Sequence, residues 1–267
     1  MNHLQAESAA RKPIVAGNTD TSLLKIIALV FMIIDHVGVA FVPGVRELRV
    51  LGRIAMPLYA WCIVVGSDYT RNALKYALRL FVLAVVSQPF YVMALDNSWT
   101  HLNILFLFCL GVLAIAGIKE KRWGSQFWAP ALCMVIAAVL DIDYGLTGLL
   151  FILLLYASRG SKGAIAAAYL AAAAFWGSSS FAVSSFFCLN LTVINGPVLT
   201  YIRKIFFSMQ AFMWLALPLI LIPMHSNIRM PKWLGYGLYP LHLAVLMIVG
   251  LLLGVPFSDY ISSLGQI

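Results

Sequence analysis

From Leu23 to Leu253 the chain is a succession of unbroken apolar runs, most of them fourteen to twenty-two residues long, and this constrains its fold more than any motif. Such runs approach the roughly 20 residues that an α-helix needs to cross a hydrocarbon core. In lipid every backbone N–H and C=O must be paired internally, so only helices or a closed barrel will serve. The runs are continuous rather than alternating, which selects helices. Composition agrees: 62% of the 267 residues are hydrophobic and 10% are charged, against about 25% charged in a soluble domain. The expected fold is all-α, a polytopic transmembrane helix bundle.

Nine spans are read, at 23–42, 48–66, 74–95, 102–118, 127–140, 144–158, 163–177, 206–223 and 234–254. The stretch 180–200 is apolar but interrupted by Asn190, Asn195, Gly196 and Pro197, so a tenth span or a re-entrant segment is the alternative. Residues 1–21 form a polar tail, 22–256 a single transmembrane domain and 257–267 a short C-terminal tail. The first apolar run has no small-residue cleavage site and reads as a retained helix rather than a signal peptide. The Ala-rich run 164–174 suits close helix packing.

The net charge of +8 does not imply nucleic acid, because of where the charge lies. Arg71 and Lys75, Lys119, Lys121 and Arg122, and Arg159 and Lys162 occupy the loops after the second, fourth and sixth spans. The loops after the third and fifth hold Asp96, Asp141 and Asp143. This positive-inside pattern puts the N-terminus in the cytoplasm; a bacterial inner membrane is the expected location. Further on, Arg229 with Lys232 and Arg203 with Lys204 give conflicting signals. Cys62, Cys109, Cys133 and Cys188 sit singly in apolar runs, which implies neither a disulfide framework nor a metal site.

Against this background the ionisable residues within spans stand out, each costing roughly 2.5–3.5 kcal/mol to insert. Asp35 and His36 interrupt the first span, and Arg53 lies near the start of the second. Arg79 lies in the third, His101 at the edge of the fourth, Asp143 at the opening of the sixth, and His242 in the last. At 1.5 Å per residue, Asp35 is about 10 Å deep, Arg53 about 8 Å and His242 about 12 Å. The short loop between the first two spans makes an Asp35–Arg53 pair feasible. Consecutive helix positions diverge by about 100°, so Asp35 and His36 cannot serve each other. His36 is expected to face a cavity near His242 or Asp143. Structural roles compete: Arg79 can snorkel, His101 can be solvated, His242 can be a packing residue, and Arg53 a mere counter-ion. Trp99, Trp123 and Trp128 suit interfacial belts.

Five segments that carry or adjoin these residues resemble the TraX family of membrane-embedded acetyltransferases. They are LKIIALVFMIIDHVG at 24–38, LGRIAMPLYAW at 51–61, HLNILFLF at 101–108, DYGLTGLLFILLLY at 143–156 and YPLHLAVL at 239–246. One departure is SQPF at 87–90, which lacks the Glu that many members place before this Pro. The resemblance implies transfer of an acetyl group from acetyl-CoA, with no metal, to the N-terminal amine of a pilin subunit. A hydroxyl of an envelope glycan or lipid-linked sugar is the alternative acceptor. It implies catalytic roles for His36, Asp35, Arg53, His242 and Asp143, and substrate contacts for Asn103, Tyr144 and Tyr239. His36 is the expected base and His242 its rival. Arg53 is expected either to anchor Asp35 or to steady an oxyanion, and Lys119, Lys121 and Arg122 to attract the donor's phosphates. A proton-coupled transporter would also use buried Asp, His and Arg, but no internal repeat supports one.

Overall fold

The computed structural model describes residues 15–186, 189–191, 196–228 and 230–254. Residues 1–14 of the polar tail, the C-terminal tail 257–267, Asn195, Cys188 and Arg229 lie outside the described residues. Within them the fold is all-α. Its β-structure amounts to two isolated bridges and a pair of two-residue antiparallel strands, β1 (Ser185–Phe186) and β2 (Leu189–Asn190).

Helix α1 spans Thr21–Ala40 and starts at Asp20, whose side chain accepts from the Leu23 N–H at 3.2 Å. The chain returns as α2 (Arg46–Gly52) and α3 (Ala55–Tyr69). The expected span 48–66 is thus two helices that meet at Arg53 and Ile54. Helix α4 (Ala73–Leu95) is capped by Asn72 and contains Pro89. Helix α5 spans Ile104–Glu120, α6 Ser125–Val139, α7 Gly145–Ser158 and α8 Lys162–Ser178. After the strands come a short helix α9 (Pro197–Phe206), a 3-10 segment Ala211–Ala216 that runs into α10 (Leu217–Leu221), and finally α11 (Lys232–Leu252).

Three helical stretches are long and apolar enough to cross a membrane: Thr21–Ala40, Arg46–Tyr69 and Ala73–Leu95. These fit a membrane protein. Three such stretches do not establish the nine spans expected. The expected span 206–223 is the broken piece Ala211–Leu221, about 20 Å long against a hydrocarbon core of about 30 Å. Pro218 sits in its last turns, and a proline there starts a helix more readily than it continues one. The stretch 180–200, open between a tenth span and a re-entrant segment, holds the strand pair and the start of α9, with no α-helix among its described residues before Pro197.

Helix α3 is the hub. Leu58, Trp61 and Val64 are inaccessible to solvent, and the indole N–H of Trp61 donates to the Asn18 carbonyl at 2.7 Å. Around α3 lie α1, α5 and α7, while α11 packs against α1 and α4. The Ala-rich helix α8 buries Ile165, Tyr169, Ala173 and Gly177 at four-residue spacing, and the Tyr169 hydroxyl donates to the Met213 carbonyl at 2.7 Å. Small residues on that face let the backbones approach, which matters where lipid removes the hydrophobic drive for association. A smaller core of Val50, Val183, Leu191, Met209 and Phe212 joins α2 to the strand region. It lies where α1 ends and α3 begins.

Candidate active site

Asp35 lies in the second-last turn of α1, and Arg53 lies at the α2–α3 junction. One guanidinium nitrogen of Arg53 contacts both carboxylate oxygens of Asp35, at 3.0 and 3.1 Å. The side chains are 15% and 10% exposed, so the charges are compensated rather than solvated. Gly52 permits the approach, because a Cβ there would collide with Asp35. The rest of the guanidinium is also engaged. Nε donates to the Arg49 carbonyl at 3.1 Å, and the other terminal nitrogen donates to the Tyr144 hydroxyl at 3.4 Å and Gln210 Oε1 at 3.3 Å. Each of the three guanidinium nitrogens thus has an acceptor, the one facing Asp35 sharing a single N–H between the two carboxylate oxygens. Arg49 makes a second ion pair with Asp35 at 3.3 Å. Arg49 and Gln210 escaped the sequence reading. Arg49 was discoverable, since it lies four residues before Arg53 on the same side of α2. Gln210, 157 residues from Arg53 along the chain, carried no such signal.

His36 faces a different way from Asp35. Its Nδ1 lies 2.9 Å from Nε2 of His242 on α11, with the rings stacked at 17°. The other nitrogen of His242, Nδ1, lies 3.0 Å from the Leu238 carbonyl. A carbonyl only accepts, so His242 carries its proton on Nδ1. With both rings neutral, His242 Nε2 accepts from His36 Nδ1–H. This leaves His36 Nε2 as a bare lone pair. Tyr239, one turn earlier on α11, sets its ring edge-on to His242 at 5.4 Å. Its buried hydroxyl has no hydrogen-bond partner among the described residues.

Asp143 and Tyr144 approach from the start of α7. A two-bond clasp holds this segment: Leu102 N–H donates to the Asp141 carbonyl and Asp143 N–H to the Leu102 carbonyl, both at 2.8 Å. Tyr144 adopts a left-handed backbone with φ of 65°, a conformation L-residues tolerate only when their surroundings enforce it. Its ring stands edge-on to Trp176 of α8 at 5.6 Å. No described cation lies within ion-pair distance of the Asp143 carboxylate.

These residues share one hollow of about 450 Å³. Asp35, His36, Asp143, Tyr144 and Tyr239 line one end. Met32, Met56, Ile63, Leu83 and Phe108 form apolar walls. At the other end are Ser22 and Lys25 of α1 with Arg71, Lys75 and Arg79 at the start of α4. The hollow therefore runs between the two ends of the bundle.

Asn103 does not join this group. It is inaccessible, and its side chain is spent on structure. Oδ1 accepts from Leu105 N–H at 3.1 Å as the N-cap of α5, while Nδ2 donates to the Ala84 carbonyl at 2.8 Å and to Gln88 Oε1 at 2.7 Å. Gln88, where the resemblance leads one to expect Glu, also donates to the His101 carbonyl at 2.7 Å. An ionised carboxylate has no donor for that bond. His101 pairs with Asp141 at 2.9 Å, but Asp141 is 64% exposed, so the pair contributes little. Lys119 donates to the Ser67 carbonyl at 2.6 Å and closes the end of α3, away from the hollow. Lys121 and Arg122 are exposed. Arg79, expected to snorkel, is part of the cavity wall.

The profile of the family described as TraX protein matches residues 20–250. A probable fimbrial assembly protein of Dichelobacter nodosus, FimC of serogroup H1, is 30% identical over 164 residues, 56% of this chain and 67% of its own length. Protein TraX of Escherichia coli is 31% identical over 138 residues, 50% of this chain and 54% of its own length. Protein RP591 of Rickettsia prowazekii is 29% identical over 130 residues, 46% of this chain and 49% of its own length. The matched stretch thus spans about half to two-thirds of these relatives. No solved structure matches the chain. A match across 231 residues that includes the Asp35–Arg53 and His36–His242 pairs makes the chain a member of the TraX family.

Proposed function

We propose that this protein is a multi-pass acetyltransferase of a bacterial inner membrane, with its N-terminus in the cytoplasm, moving an acetyl group from acetyl-CoA to the N-terminal amine of a pilus subunit. The observation that carries this reading is the hollow that joins the His36 cluster to the basic end of the bundle. A cytosolic thioester needs such a passage to reach a base buried among helices. The fimbrial assembly relative supports a pilus subunit as the acceptor.

The acceptor amine enters beside Asp143, whose carboxylate lines the hollow and would attract an ammonium group. The ammonium first loses one proton to bulk water, and the neutral amine attacks the thioester carbonyl carbon. A C–N bond forms, and the carbonyl π electrons move to oxygen. Collapse of this intermediate breaks the C–S bond and releases CoA thiolate. His36 Nε2 takes the proton from nitrogen and passes it to the thiolate, so the base is regenerated. His242 fixes the tautomer that leaves Nε2 bare, as a positioning residue rather than a second base.

The contacts at all three nitrogens of Arg53 support the first of its two expected roles, the anchor of Asp35. Tyr144 accepts from Arg53, so its own O–H is free to donate to the developing oxyanion. The unpartnered Tyr239 hydroxyl is a second donor for bound substrate.

The test uses the purified full chain in nanodiscs with acetyl-CoA and a short peptide carrying a pilin-type free amino terminus. The peptide is expected to gain one acetyl group at its α-amine, and a pre-blocked peptide none. Acetylation of an added lipid-linked sugar with the amine untouched would replace the acceptor and keep the chemistry. Proton-coupled flux without CoA release would overturn both.

A further inference from the structure

We infer that Lys25, Arg71, Lys75 and Arg79 form a seat for the diphosphate and 3′-phosphate of the coenzyme A donor, an inference that rests on the acetyl-transfer reading above. The α4 residues that line the hollow are Asn72, Lys75, Tyr76, Arg79, Leu80 and Leu83. They recur every three or four positions, so one face of the helix fronts the cavity. Lys75 and Arg79 lie four residues apart on that face, Arg71 lies in the bend just before the N-cap Asn72, and Lys25 of α1 lines the same hollow.

The arrangement is electrostatically unfavourable without a ligand. Like charges four residues apart on a helix repel, and the N-terminal turns of α4 present the positive end of its macrodipole. Arg49, Arg53, Lys119 and Arg159 all have carboxylate partners. None of the four mouth cations has one among the described residues. Positive-inside charge explains basic residues near this end of a helix. It does not explain why they front a cavity.

The ligand must supply several negative charges at one end and a long slender arm at the other. Lys25 and His36 are eleven residues apart on α1, about 16 Å along the axis. An extended pantetheine arm, with its two amide units and thioester tail, covers a comparable length at standard bond lengths. Its dimethyl group suits the walls at Met32, Met56, Ile63 and Phe108. The 3′-phosphate alone carries about −1.5 to −2 charges, so the head as a whole matches a four-cation mouth. An anionic lipid headgroup offers the same phosphate chemistry without the arm.

The experiment titrates CoA and 3′-dephospho-CoA into the full chain in phosphatidylcholine nanodiscs. It compares wild type, Lys75→Gln with Arg79→Gln, the charge-keeping Lys75→Arg, and Lys121→Gln with Arg122→Gln as an equal loss of charge outside the hollow. Each variant is checked for an unchanged melting temperature, and Lys75→Arg keeps the test valid should the double variant fold poorly. CoA affinity is expected to fall on the order of tenfold in the Lys75/Arg79 variant and to stay near wild type in the other two. Wild type is expected to prefer CoA over 3′-dephospho-CoA, and the Lys75/Arg79 variant to lose most of that preference. Equal CoA affinity in all four proteins overturns the seat while leaving the acetyl-transfer reading intact. So does loss of phosphatidylglycerol association, by native mass spectrometry in mixed-lipid nanodiscs, with CoA binding unchanged. No CoA binding by wild type overturns both.

Discussion

Two buried polar clusters lie in this helical bundle, and they spend their hydrogen bonds in opposite ways. Around Asn103 and Gln88, the two amide side chains serve each other, the Ala84 and His101 carbonyls, and the start of α5. Little capacity is left over, and Asn103 is inaccessible. Around His36, the ion pair and the imidazole stack are just as well ordered. They nevertheless leave a lone pair on His36, an O–H on Tyr144, a hydroxyl on Tyr239 without a partner among the described residues and the carboxylate of Asp143 along one cavity. A polar residue among apolar helices is costly in either place. Residual capacity facing a space is what separates chemistry from scaffolding.

This contrast is sharpened first by removing the largest stabilising element. Arg53→Ala leaves Asp35 with only the partly exposed Arg49. Breaking a buried pair costs about 3–5 kcal/mol, so a large drop in melting temperature and loss of transfer are expected. Arg53→Lys should recover little of either, because an ammonium cannot reproduce five fixed donors. At the other cluster, Asn103→Ala loses the N-cap of α5 and the amide bonds to Ala84 and Gln88, for about 1–2 kcal/mol in chemical denaturation. Its turnover per folded molecule should stay within about twofold of wild type, since substrate does not meet Asn103.

Gly52→Ala should cost about 1–3 kcal/mol by overpacking, with the methyl forced into Asp35. Turnover should fall with it, because the damage lies at the ion pair. His242→Ala should lower kcat about tenfold, the worth of one buried hydrogen bond that holds the reactive tautomer. Added imidazole should restore part of that loss, and unchanged kcat would make His242 a packing residue. The smallest effect is expected at Lys121→Gln, an exposed position outside the hollow, with stability within about 0.5 kcal/mol of wild type in a thermal melt.

Much of the reactive cluster was legible in the sequence. Asp35 and Arg53 flank one short loop at similar depth, so their pairing follows from geometry along the chain. The 100° turn between neighbours separates Asp35 from His36, and the depth of His242 brings it to His36. The satisfied cluster was less legible. Asn103 occurs in a motif shared with the family, and motif membership does not distinguish a helix cap from a substrate contact. That distinction needs Gln88, fifteen residues away and on another helix. Hydropathy also overstated the segment 206–223, because it registers apolar character and not the break in helical geometry around residues 206–217. The basic loops gave an orientation but hid the fact that Lys75 and Arg79 share the face of α4 that lines the cavity.

The most direct test of the account measures CoA thiol release from acetyl-CoA, with acceptor peptide present, by His36→Ala and Asn103→Ala in parallel, each normalised to folded protein and paired with its melting temperature. The account predicts that His36→Ala melts close to wild type and loses turnover by about 10²- to 10⁴-fold, while Asn103→Ala melts lower and keeps its turnover. Turnover that simply follows melting temperature in both variants, or that survives the loss of His36, would contradict it.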